Sequence, residues 1–181
     1  MAQTIEYLWV DHNDLRKITL QFNEPLHNVA NVPEYRMNSF VLKPSCIFND
    51  PFTPSFEQIN KLVLCNIEHK PDSGLYEIIQ TYYIYDSSNT RLFETNETFI
   101  LLYEFTQAAL YSGLNIVHNT YKGDYKWEIK LGIGTMTTMI QHTWIMIYIF
   151  KKYAMERGYK LMFEPYEQIN DMNELMKGLS I

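Results

Sequence analysis

The run from Met139 to Phe150 leaves this chain fewer structural options than any other stretch of it. Met139, Ile140, Trp144, Ile145, Ile147, Tyr148, Ile149 and Phe150 cover most of the circumference of a helix turning once in about 3.6 residues. A helix apolar on nearly every side has to be buried on more than one of them, so a sheet, other helices or a partner must surround it. A bilayer is excluded as that surrounding. The run is about a dozen residues against the roughly 20 that a spanning helix needs, and it contains Gln141 and His142. The helix is expected from Thr137 to Arg157, closed by Gly158 in a left-handed conformation.

Strands are expected elsewhere. Ile5 to Val10 is rich in β-formers, Asp11-His12-Asn13-Asp14 is a turn cluster, and Lys17 to Phe22 resumes the alternation, which together predict a hairpin. After a connection from Asn23 to Pro33, strands are expected at Ser39 to Leu42 and Lys61 to Ile67, with a Pro-rich loop around Pro44, Pro51 and Pro54 between them. Polar and turn residues cluster from His69 to Gly74, so one domain is expected over residues 1–68 and a second over 75–181. The second domain reads as a strand from Leu75 to Tyr85, then a helix from Glu97 to Ser112 capped by Asn96 and closed by Gly113. Strands at Leu114 to Val117, Tyr125 to Leu131 and Lys160 to Phe163 follow, the last two separated by the long helix. A short helix from Met172 to Lys177 behind Asp171 would end the chain. Strands and helices in this order imply an α+β fold with two main helices.

Composition narrows the function. With 15 basic against 21 acidic residues, a net charge of -6 and no basic cluster longer than Lys151-Lys152, there is no footprint for a phosphate backbone, and nucleic acid is excluded as the expected partner. The first residues, Met1 to Glu6, lack the basic and apolar regions of a signal peptide, and no membrane span is expected, so the expected location is cytoplasmic. Cys46 and Cys65 have no second cysteine at metal or redox spacing and are expected to be small core hydrophobes.

Particular residues add a more specific reading. Tyr7-Leu8-Trp9-Val10-Asp11 followed by Leu15-Arg16-Lys17-Ile18-Thr19 resembles the opening hairpin of eukaryotic glutamine synthetase. Phe40-Val41-Leu42-Lys43-Pro44, Phe48-Asn49-Asp50-Pro51-Phe52 and Asn60-Lys61-Leu62-Val63-Leu64-Cys65 resemble three consecutive landmarks of that family in the correct order. Ala108-Ala109-Leu110-Tyr111-Ser112-Gly113, Trp127-Glu128-Ile129-Lys130-Leu131-Gly132, His142-Thr143-Trp144 and Phe163-Glu164-Pro165 continue the series. The resemblance spans nearly the whole chain but only the N-terminal half or so of the family's length. It implies a β-grasp-like N-terminal domain joined to part of the family's catalytic-domain sheet.

The chemistry implied by the resemblance is interrupted. Making and holding a phosphoryl-glutamate demands several carboxylates on divalent metal. The family's Glu-Gln-Glu-Tyr pattern, with its two acids on one face of a strand, corresponds here to Ile79-Gln80-Thr81-Tyr82. Of a further pair of family glutamates, the first falls on Tyr121 and only the second, Glu128, is kept. The family's Asp-Gly-Ser-Ser loop after Pro33-Glu34-Tyr35 and its nucleotide-pocket segment between Tyr85 and Asn96 are cut short. The expectation is a truncated, catalytically dead pseudoenzyme. No catalytic, cofactor-binding or metal-ligating residue is assigned, and no cofactor is expected.

The remaining candidates have plainer readings. Glu128 alone on a strand is more simply a hydrogen-bonded group than a metal ligand, and His142 is more simply a core or interface histidine than a base. Glu77, His118, Glu128 and His142 fit no ligand spacing. The expected function is protein–protein binding, by a host-interaction or immune-modulating factor of the kind a large DNA virus carries. Its expected partner is a host protein, authentic glutamine synthetase among them, or a second copy. The competing readings are an enzyme or small-molecule binder with altered nucleotide or amino-acid binding, and a structural homo-oligomer.

Overall fold

The structure, a computed structural model, describes residues 2–12, 14–37, 40–54, 59–67 and 74–164. The expected boundary cluster at His69 to Gly74, but for Gly74, and the expected helix at Met172 to Lys177 lie outside the described residues. The chain is α+β, with most of it in strands and two long helices, and it divides into two compact units. Among the described residues no helix is long and apolar enough to cross a membrane.

The first unit holds a four-stranded sheet in the order β2-β1-β6-β5. Strands β1 (Gln3–Asp11) and β2 (Asp14–Phe22) form the expected hairpin, in register from Gln3 opposite Phe22 to Asp11 opposite Asp14. A 3-10 turn at Val29–Asn31 and a small hairpin of β3 (Tyr35–Met37) and β4 (Phe40–Leu42) lead to β5 (Pro44–Pro54) and β6 (Ile59–Cys65). Strand β6 runs parallel to β1 in the middle of the sheet. A parallel central pair made of the first and last strands is the arrangement of a β-grasp-like sheet. Ile5, Tyr7, Val32, Leu42, Val63 and Cys65 form its core, with Trp9, Ile18, Leu20 and Phe22 packed against them.

One expectation for this unit is corrected. The segment around Pro44, Pro51 and Pro54 is the strand β5, not a loop. It lies at the sheet edge and its pairing with β6 slips between Pro44 and Cys46 and again between Asn49 and Pro54. An edge strand leaves half its backbone groups unpaired, so prolines without an N–H are accommodated there.

The second unit is an antiparallel sheet in the order β10-β7-β9-β8. Strand β7 (Tyr76–Tyr85) precedes α1 (Asn96–Tyr111), β8 (Ile116–Gly123) and β9 (Lys126–Gly134) form a hairpin, and α2 (Met136–Glu156) precedes β10 (Lys160–Phe163). The turn between β8 and β9 places Asp124 and Tyr125 at φ of 50° and 60°, the two positive values a tight hairpin turn needs. Strand β8 reaches beyond the expected Leu114 to Val117, because polar His118, Asn119 and Thr120 hide a strand whose far side is exposed.

Helix α2 packs on β7, β9 and β10 and is buried on nearly all sides from Met139 to Phe150, as its apolar circumference requires. The Phe105 ring of α1 stacks on Phe150 with centroids 4.8 Å apart, and Tyr82 of β7 meets Phe150 edge-on at 6.0 Å. Gly113 and Gly158 take the expected left-handed conformation, φ 95° and 77°, and close the two helices. The cap of α1 is Thr95, not Asn96. Its hydroxyl accepts from the Thr98 N–H at 3.2 Å while its own N–H donates to the Thr98 hydroxyl at 2.8 Å, a capping box with threonine in the glutamate position.

Candidate functional site

Alternation along β7 and β9 sends Ile78, Gln80, Tyr82, Trp127, Ile129 and Leu131 into the core. Glu77, Ile79, Thr81, Tyr83, Glu128 and Lys130 therefore share the opposite face of the sheet. Strand register fixes their neighbours. Glu128 stands opposite Thr81 on one side and Thr120 on the other, and Lys130 opposite Ile79 and His118.

Charges on this face are paired one against another. Oε1 of Glu128 meets Nε2 of His118 at 3.0 Å and Nζ of Lys122 at 3.0 Å. Nζ of Lys130 meets Oε2 of Glu77 at 2.8 Å. Nζ of Lys126 lies 3.7 Å from Oε1 of Glu164, which also accepts from the Tyr83 hydroxyl. The Arg91 guanidinium sits over the Tyr83 ring, 4.3 Å from its centroid. Partial burial pushes the Glu128 carboxyl up, but hydrogen bonds from Lys122 and His118 and their charge outweigh it and hold the group below its ordinary value of 4.5.

Ile79, Thr81 and Tyr121, singled out in the sequence, divide between the two faces. Ile79, 46% exposed, and Thr81 lie on the Glu128 face. Tyr121 does not. It pairs with Trp127 across the β8–β9 hairpin and its ring packs on the indole, centroids 4.8 Å apart, on the core side. Of the four residues Glu77, His118, Glu128 and His142, only His118 and Glu128 meet; Glu77 is taken by Lys130, and His142 is on α2, across the sheet. Burial pulls the His142 imidazole below its ordinary value. Among the described residues no three His, Cys, Asp or Glu side chains gather as metal ligands would.

A cation arriving at Glu128 would find Lys122 already at the carboxylate, a threonine opposite on each neighbouring strand, and a second lysine, Lys130, two residues along β9 on the same face. Hard cations need several oxygen ligands of net negative charge. These surroundings oppose that binding. The sequence signal for these lysines is their alternation with Glu128 along β9, as Lys126, Glu128 and Lys130.

Cys65 is buried and Cys46 half-buried, both are free, and burial pushes each thiol up to about 12, so neither is an activated thiolate. No protein-family model matches the chain, and no curated protein matches it.

Proposed function

We propose that this chain is a non-catalytic relative of glutamine synthetase that acts by binding another protein. The observation that carries the reading is the register that sets Ile79 and Thr81 beside a Glu128 already neutralised by His118 and Lys122. At the positions where the family's resemblance calls for acids there are a hydrocarbon, a hydroxyl and an aromatic ring. Phosphoryl transfer from ATP is almost wholly positioning plus compensation of charge on phosphate oxygens, and metal-bound carboxylates supply it. Without them the scaffold is left with recognition.

The proposed partner is a cellular protein met in the cytoplasm, with authentic glutamine synthetase as the specific candidate, in the role of a viral host-interaction factor. Two measurements test it. Incubation with ATP, glutamate, ammonium and magnesium is expected to yield no glutamine above the rate without protein. Mixing with authentic glutamine synthetase is expected to change the size or the activity of its assemblies. Glutamine production that Glu128→Gln abolishes would overturn the non-catalytic reading, and unchanged size and activity would remove the specific partner.

A further inference from the structure

Helix α1 turns Leu101, Leu102, Phe105, Ala108 and Ala109 into the core. Its other face is also largely apolar and open to solvent: Phe99 is 56% exposed, Ile100 60%, Tyr103 64%, Leu110 45% and Tyr111 42%. Exposed Gln107 is the polar residue in the middle of this stripe. Glu97 lies at its beginning, and Glu104 at its flank is engaged by Arg157 at 2.7 Å.

The stripe reads the same in both directions about position 105. Phe99 matches Tyr111, Ile100 matches Leu110, and Tyr103 matches Gln107. We propose that this face of α1 binds α1 of a second copy of the chain, the two helices antiparallel about a two-fold axis near residue 105. In that arrangement aromatic meets aromatic, aliphatic meets aliphatic, and the Tyr103 hydroxyl meets the Gln107 amide of the other copy. An isologous interface needs such self-complementarity. The antiparallel sense also keeps the two Glu97 carboxylates about a helix length apart, roughly 24 Å for 16 residues, whereas a parallel pair would bring them together.

Area supports a dimer of modest strength. Taking roughly 200 Å² for each fully exposed side chain, the exposed fractions sum to about 500 Å² per copy. With Gln107 at its centre and a polar rim of Asn96 and Glu97, the surface approaches the roughly 800 Å² per partner of a stable interface. The inference is independent of the relation to glutamine synthetase and stands or falls without it.

Sedimentation equilibrium of the full chain over a wide concentration series is the test. A monomer–dimer equilibrium is expected, which Ile100→Glu weakens by roughly a hundredfold or more. Val117→Glu, at a residue 55% exposed on β8, is expected to leave it unchanged. Tyr103→Lys is expected to weaken the dimer, and Tyr103→Lys combined with Gln107→Glu to restore it, since each lysine then faces a glutamate of the other copy. A chain that is monomeric throughout, whether residues 165–181 or a different protein occupies the stripe, overturns the proposal. So does a dimer that Ile100→Glu leaves intact, or one that the double variant fails to restore.

Discussion

Glu128 keeps its negative charge on a face where its neighbours across the strands are threonines and its partners are His118 and Lys122. A carboxyl held below its ordinary 4.5 in the folded chain stabilises the fold above that value, and the contribution is lost as pH falls through the lower folded value. Wild type is therefore expected to lose more stability than Glu128→Gln on acidification below pH 4.5, by under about 1 kcal/mol because the pair is partly exposed. Urea denaturation of both proteins at several pH values measures the difference, and parallel curves would deny the pairing. Tyr82 makes a sharper test of the core. It is fully buried and donates to Oδ1 of the part-buried Asn119 at 2.8 Å, so Tyr82→Phe removes that hydrogen bond and is expected to cost about 0.5–1.5 kcal/mol. A melting temperature unchanged by that substitution would mean Asn119 finds another donor. At this scale the sequence could mark Glu128 as a hydrogen-bonded group but could not name its partners. His118 reaches it because the β8–β9 register sets Thr120 opposite Glu128 and His118 opposite Lys130 on the same face, and a register interrupted by bulges has no single-residue signature.

Helix α1 begins with a reciprocal pair, Thr95 and Thr98, where the sequence offered Asn96 as the cap. Thr95→Ala is expected to destabilise the chain by roughly 1 kcal/mol and Thr95→Ser to be nearly neutral; thermal denaturation that ranks Asn96→Ala as the costlier change would return the cap to Asn96. The elements legible beforehand were those whose period, end signals and burial agreed: the β1–β2 hairpin, α2 with its apolar girth, and the short β10. Strand β5 was not legible, since prolines normally argue against pairing and only its edge position admits them. Strand β8 was read short for a related reason: one of its faces looks out from the sheet, so its outer half carries polar residues that imitate a loop. The open stripe on α1 carries no end signal; only the burial of Leu101, Leu102, Phe105, Ala108 and Ala109 shows which apolar residues of the helix are left outside the core.

The outer face of the second sheet carries lysine–glutamate pairs, Lys122 with Glu128, Lys126 with Glu164 and Lys130 with Glu77. On the proposed non-catalytic reading, carboxylates paired in this way are not offered to magnesium and triphosphate. Stability in the presence of ligand is the most direct measure, because any ligand that binds only the folded chain stabilises it, by about 2.7 kcal/mol at a hundredfold excess over its dissociation constant, and so raises its melting point. Thermal denaturation with ATP, glutamate and magnesium together is expected to give the same midpoint as the chain alone. A midpoint that climbs with ATP concentration and falls back when the metal is chelated would show a working nucleotide and metal site and contradict a non-catalytic chain.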